Sequence, residues 1–495
     1  MSGRYDRGMH TLLIVFALGC HGHDKADTTD GFTDTTDVLV IGAGPAGVAA
    51  ALSAREAGAD VIVLDRSETA GDGIGYATRL FAAGTEQQAA AGIVDSPEIA
   101  AAEWERLTGV PGETASVMAF LEGSAPTLSW LEGYGVAFLN LDEDQDAGEV
   151  ARMHMSYSVD MRAALLDALE GAVRLQVEVD ELVVEDGRVT GARWTDLESG
   201  ESGATGAKAV VVATGGFLRD RARVDTLRPE LAGRRLLYET NPHADGSGLD
   251  FLDPLGPGYQ SAENLGIYVH AIQDPDRAEG EALVLGALDE FLIVGASGER
   301  FADEGASRSF DFFDLLPEGE VYAIIPDASA GGIRAARAPY NASDPDEIEG
   351  YVVSELDILS DEVFLAATLE DLGELAGIDP DGLVATIDEV NALVASGGTD
   401  EFGRSFVGES AFVDEMFWAV RLTPGLAKAF GGVNTDLQAR LLDGNGEIIP
   451  GVYVAGELAG MIPGGGAGLG FAGSVNACYY GGRMAGTHAA ADASE

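Results

Sequence analysis

The sequence predicts an α/β fold, a doubly wound parallel sheet interrupted by an inserted α+β domain. Three observations support it. Residues 38–66, VLVIGAGPAGVAAALSAREAGADVIVLDR, run as apolar strand, glycine-rich turn, Ala-rich helix and second apolar strand in one unit. Two later buried runs, Ala209 to Ala213 and Gly451 to Ala455, each end in a glycine-rich turn. Between them, residues 241–355 change to short strands, many turns and polar loops, the pattern of a separate inserted domain.

In chain order, residues 1–20 read as a processing segment. Arg4 and Arg7 precede an apolar run, Thr11 to Leu18, which is too short to span a membrane. Ala17-Leu-Gly-Cys20 resembles a bacterial lipobox, with Ala17 where such boxes usually carry Leu. The expectation is export with lipidation at Cys20, an ordinary cleaved signal peptide being the alternative. Residues 21–35 read as a flexible polar tether, so the only membrane contact expected is the N-terminal lipid anchor.

The fingerprint at 38–66 then opens a nucleotide-binding domain, 36–240, of Rossmann-like character. Gly42 makes the tight turn, Gly44 lets backbone approach a pyrophosphate, and Gly47 lets helix pack on strand. The exposed N–H groups at the helix start suit the pyrophosphate, and Asp65 can accept hydrogen bonds from a ribose. Together these residues imply a bound dinucleotide. Helical, Ala/Glu-rich segments follow to about residue 171. A hairpin is expected over 173–196 with Asp186-Gly187 as its turn. The inserted domain spans 241–355, and the nucleotide domain resumes at 356–495, with helical periodicity over 361–396. Gly468-Leu-Gly470-Phe-Ala-Gly473 is formally a second GxGxxG, but no strand directly precedes it and no acidic residue follows in 474–491. It reads better as a helix N-terminus facing an anionic group.

Composition excludes several partners. The 83 acidic against 29 basic residues give a net charge of −54, with only three lysines: Lys25, Lys208 and Lys428. Such a surface repels nucleic acid and anionic lipid. Cys20 and Cys478 are the only cysteines, and no CxxCH, CxxC or Fe–S spacing occurs, so no metal site is expected.

Four segments in order carry a family resemblance: VLVIGAGPAGVAAA; Thr85-Glu-Gln-Gln88 with Asp95-Ser-Pro-Glu98; Ala213-Thr-Gly-Gly-Phe217; and Ile449-Pro-Gly-Val-Tyr-Val-Ala-Gly-Glu457. Over roughly 36–490 the chain resembles the FAD-binding fumarate reductase/succinate dehydrogenase flavoproteins, which include enoate reductases and 3-oxosteroid 1-dehydrogenases. The resemblance implies an FAD-binding domain with an inserted cap. It places the ADP half of FAD on Gly42, Gly44, Ala46 and Asp65, the last a Glu in most of the family. Gly71, Asp72 and Gly73 would meet the flavin ribityl and ring, Ala213, Thr214 and Gly215 would line the cofactor, and Glu457 would hold the ribityl chain. Leu469 and Gly470 would touch the pyrimidine edge. The family's GDG stands here as Gly246-Ser247-Gly248, with Ser247 replacing the carboxylate. No histidine lies between Gly71 and Thr85, which implies noncovalent FAD.

The resemblance further implies hydride transfer between flavin and one carbon of a C–C or C=C unit next to a carbonyl or carboxylate, with a side chain moving the accompanying proton. The family's R-F-x-x-E-x-x-x-R pattern is Arg300-Phe-Ala-Asp-Glu304-Gly-Ala-Ser-Arg308, making Arg308 the expected catalytic residue. The alternative reading pairs Arg308 with Glu304 one helical turn away. Lys428 and His270 (or Tyr268) stand near the family's substrate histidines. Other family groups are replaced: a Glu and an Arg by Val284 and Ala287, and the carboxylate-clamping arginine by Ala467. A dianion normally needs fixed arginines, so these losses argue against a simple fumarate reductase. They leave open a steroid dehydrogenase-like enzyme, with Phe310, Phe312, Phe313 and Tyr268 shaping an apolar pocket, or an eroded flavoprotein acting as electron carrier. Expected partners are a small saturated or unsaturated molecule and a separate electron donor or acceptor.

Overall fold

The computed structural model describes residues 31–71, 73–74, 79–108, 111–112, 114–142, 150–156, 158–286, 291–306, 310–337, 350–460, 462–463 and 474–495. Cys20, and most of the tether, lie outside the described residues.

Residues Val38 to Ile41 alternate between two cores. Leu39 and Ile41 pack into one apolar cluster while Val38 and Val40 pack into another. A strand buried on both faces belongs at the centre of a layered sheet. Strand β1 (Asp34–Ile41) accordingly pairs in parallel with β2 (Val61–Leu64) on one side and with Ser202–Val212 on the other. Ile448–Val454 adds a further parallel strand, and Val173–Arg174 closes the opposite edge. This mixed α/β architecture with a parallel sheet agrees with the fold class expected.

The turn Asp186-Gly187 has φ of 49° and 80°. Two successive left-handed residues make the type I′ geometry that matches strand twist, and the hairpin Val177–Glu185/Arg188–Asp196 forms there. Val173–Arg174 lies outside that hairpin and joins the parallel sheet, because Arg174 pairs with Leu64.

A second, nine-stranded sheet is built around one long strand, Phe417–Ala429. This strand pairs with Leu265–Gln273, Val321–Pro326, Val363–Ala366 and the short Leu237–Tyr238. The second sheet therefore draws strands from both sides of 241–355. Helices Leu369–Ala376 and Pro380–Ser396 pack against Leu292, Val294 and Tyr322 of the same sheet. Strand Val363–Ala366 stands where helical periodicity alone suggests helix.

The family-like segment Thr85 to Glu98 is structural. Thr85 and Gln88 form a capping box at the start of Glu86–Ala90. Gln88 also donates to Asp95 at 2.9 Å, and Arg152, fully buried, donates to Asp95 at 2.8 Å and to Glu103. His154 sits beside them, 2.8 Å from Thr85 Oγ1, and burial holds it below the ordinary histidine range.

Candidate active site

The helix α1 (Pro45–Glu56) starts at Gly44 with Pro45 in its first turn, no side-chain cap and no acidic residue there. Its first N–H groups are therefore left for an external acceptor, and the helix dipole favours an anion. Gly42 has φ of 100°, and a Cβ there would stand 2.4 Å from the carbonyl oxygen of Ala213. Gly47 is equally constrained, since a Cβ would meet the Gly42 carbonyl oxygen at 1.8 Å. Gly44 differs: nothing lies within 4 Å of where its Cβ would be. That open space is the floor of a cavity of about 340 Å³.

The cavity runs from α1 to the second sheet. Of the residues singled out in the sequence, Gly42, Gly44, Ala46, Asp65, Gly73, Ala213, Thr214, Gly215, Ser247, Lys428 and Glu457 line it. Gly47 lies behind it, and Gly71 packs against Ile74, Arg162 and Leu166. His270 stands one side chain back, next to the lining residue Glu239. Asp72, Leu469, Gly470 and Arg308, together with Ala287 and Ala467, lie outside the described residues. Val284 is buried on Ala282–Leu285, and Phe312 and Phe313 pack in the core.

Several polar groups converge on this space. Asp65 accepts from the backbone N–H groups of Ala43 and Ser67, the latter at 2.8 Å, which fixes the carboxylate at the tip of β2. Thr214 Oγ1 is buried and has no hydrogen-bond partner among the described residues. Gly248 lies close enough that a Cβ would sit 2.0 Å from that hydroxyl. Glu457 accepts from Ala429 N at 2.7 Å, and burial raises its carboxyl to about 7 against the opposing pull of that N–H and of the Lys428 charge. Cys478, on the last helix Ser474–Ala493, also faces the cavity, and burial pushes its thiol up to about 12. A thiol held protonated in this way is a poor nucleophile.

Glu304 of the arginine pattern accepts from Arg300 at 2.6 Å, from Arg404 at 2.8 Å and from Ile293 N at 3.1 Å. It anchors a buried ion network with Arg300, Arg404 and Asp400.

Sequence reasoning missed Arg66, Glu178, Glu239, Asn241 and Cys478 as lining residues. Only Arg66 had a signal, being adjacent to Asp65. Glu239 reaches the cavity through the pairing of Leu237–Tyr238 with Phe417–Ala429, a contact between segments nearly two hundred residues apart.

The cavity suits FAD. It has an open glycine cradle at an uncapped helix N-terminus, a carboxylate at the end of β2 and an orphaned threonine hydroxyl. Comparison with known proteins agrees. Residues 37–470 match the family described as FAD binding domain. The chain is 28% identical over 444 residues to the NADH:fumarate oxidoreductase of Klebsiella pneumoniae, covering 87% of this chain and 45% of that protein. It is 27% identical over 445 residues to the fumarate reductase (cytochrome) of Shewanella frigidimarina, covering 87% of this chain and 73% of that one. Among solved structures, the open conformation of a flavocytochrome c3 fumarate reductase superposes with a TM-score of 0.73 at 25% identity, over 94% of this chain and 80% of the other. The chain thus spans less than half the length of the Klebsiella relative. Among the described residues, no helix is long and apolar enough to cross a membrane, and no group of histidine, cysteine or carboxylate side chains could hold a metal ion.

Proposed function

The chain belongs to the FAD-dependent fumarate reductase/succinate dehydrogenase flavoprotein family, oxidoreductases of CH–CH groups, and on that premise we propose that it reduces or introduces a C=C bond next to a carbonyl or carboxylate. The observation that supports this most is the continuity of one cavity from the glycine cradle at α1 to Lys428 and Glu239 on the second sheet. A cofactor on the first wall leaves its reactive end facing polar groups of the second.

In this reading the N–H groups at the start of α1 bind the pyrophosphate, and Asp65 orients the adenosine ribose. Thr214, Ser247 and Glu457 hold the flavin half without a covalent bond. Bound FAD supplies the hydride chemistry. The second sheet acts as a cap whose closure excludes water. Lys428 presents a positive charge to the carbonyl or carboxylate end of a substrate. Arg308 delivers or accepts the proton at the neighbouring carbon, a role that demands close positioning because guanidinium is a poor acid. Electrons come from, or go to, a separate partner, and the chain works outside the cytoplasm, tethered through Cys20.

The test is replacement of Arg308. Arg308→Ala should retain bound, acid-releasable FAD and lose turnover by at least a hundredfold. Unchanged turnover would remove Arg308 from the mechanism, whereas absence of turnover in the unaltered protein, with electron exchange the same in both, would favour electron carriage. Retention of a Cys20→Ala variant on membranes would argue against the lipid anchor.

A further inference from the structure

The second-sheet end of the cavity holds an acidic group with no role so far. Glu239 follows Leu237–Tyr238, and its N–H donates to Leu426 O at 3.0 Å, which lays the side chain across Gly425. A Cβ at residue 425 would stand 2.0 Å from Glu239 Oε1, so glycine is what lets the carboxylate lie against the strand. The side chain is only 6% exposed, lines the cavity, and Oε1 has no hydrogen-bond partner among the described residues. Oε2 lies 3.8 Å from His270 Nε2, beyond hydrogen-bond range, and His270 Nδ1 is likewise without a partner among the described residues. Tyr268 stacks on the imidazole at 4.7 Å and 18°, fixing its plane.

A buried carboxylate oxygen with no donor is costly, and the cost is relieved when a ligand brings one. We propose that Glu239 is the specificity-determining residue of this cavity: its Oε1 accepts a hydrogen bond from an O–H or N–H group on the substrate, and its charge disfavours dianions. The proposal rests on the C=C oxidoreductase reading only for calling the ligand a substrate. A site built to accept from a hydroxyl rejects the analogue that lacks it, because the acceptor is then left unpaired. Repulsion between like charges, which is little screened in a buried site, works against a dicarboxylate in the same place.

The experiment uses oxidised, FAD-loaded protein and follows flavin absorbance on titration with 4-hydroxycinnamate, cinnamate and fumarate, a readout that needs no turnover. The hydroxylated probe should bind at least tenfold more tightly than cinnamate, and fumarate should bind more weakly than 4-hydroxycinnamate. Glu239→Leu should bring the first ratio to within about twofold. Gly425→Ala, which displaces the carboxylate without removing it, should lower the ratio as well, with retained flavin showing that both variants are folded. A ratio near one in the unaltered protein, a ratio that survives both changes, fumarate binding as tightly as 4-hydroxycinnamate, or no spectral response to 4-hydroxycinnamate would each overturn the proposal. Reoxidation of the reduced protein by the same probes reports separately on the chemistry. Discrimination in binding without reoxidation by these probes, by simple enones or by a 3-oxosteroid would defeat the oxidoreductase reading and leave Glu239 as a recognition residue.

Discussion

Gly44 and Glu457 carry the most direct consequences at the scale of single residues. A side chain at Gly44 would project into the cavity, since nothing else lies within 4 Å of its Cβ direction. Gly44→Val should therefore weaken FAD binding at least tenfold in a fluorescence titration, with circular dichroism unchanged. Glu457 has a folded-state pKa raised to about 7 by burial. A raised pKa means that the folded state holds its proton more tightly than the unfolded chain. The associated stability is present below about 4.5, the ordinary carboxyl value, and is lost as pH rises through about 7. Glu457→Gln cannot ionise. In flavin-free protein its Tm relative to the unaltered chain should climb between pH 4.5 and 7 and level off above, and a difference constant with pH would show that Glu457 is not a buried acid. The fingerprint glycines and Asp65 were legible as residues because each answers a local steric or hydrogen-bonding demand. Glu239 was not legible, because its role depends on lying across Gly425 of a distant strand.

Elements that repeat a local pattern were readable, and elements made by distant pairing were not. The apolar runs at β1, β2, Ala209–Ala213 and Gly451–Ala455 announced parallel strands, and Asp186-Gly187 announced its hairpin. Phe417–Ala429 organises the second sheet, yet its partners Leu237–Tyr238 and Val363–Ala366 are too short to show a period. The segment Thr85 to Glu98 drew attention for family likeness, and its packing shows a structural reason. Arg152, without exposed surface, satisfies Asp95 and Glu103 together. Arg152→Met would leave buried Asp95 without its cation and Glu103 with only the half-exposed Arg106, at a cost of about 3–5 kcal/mol. A large fall in Tm is expected while any folded fraction still binds FAD with normal affinity. A neutral effect on Tm would mean that these acids are solvated.

At the scale of the whole molecule, a net charge of −54 is dispersed over the chain. Self-repulsion of that size disfavours the compact state and is screened within about 10 Å at 0.1 M salt and about 3 Å at 1 M. The Tm should rise steadily from 0.05 to 1 M KCl, and a flat response would show that local ion pairs already compensate the charge. The same two-sheet body gives the cavity its opposed walls, one with a glycine cradle and one with Lys428 and Glu239. In the proposed function these walls bring FAD and a C=C substrate together. The direct test is to reduce the FAD-loaded protein chemically without oxygen and to record flavin absorbance as fumarate, aryl acrylates, simple enones and a 3-oxosteroid are added one at a time. Rapid reoxidation by one unsaturated class, abolished in Arg308→Ala, is the predicted result. A flavin that stays bound and reduced with every one of them would contradict that function.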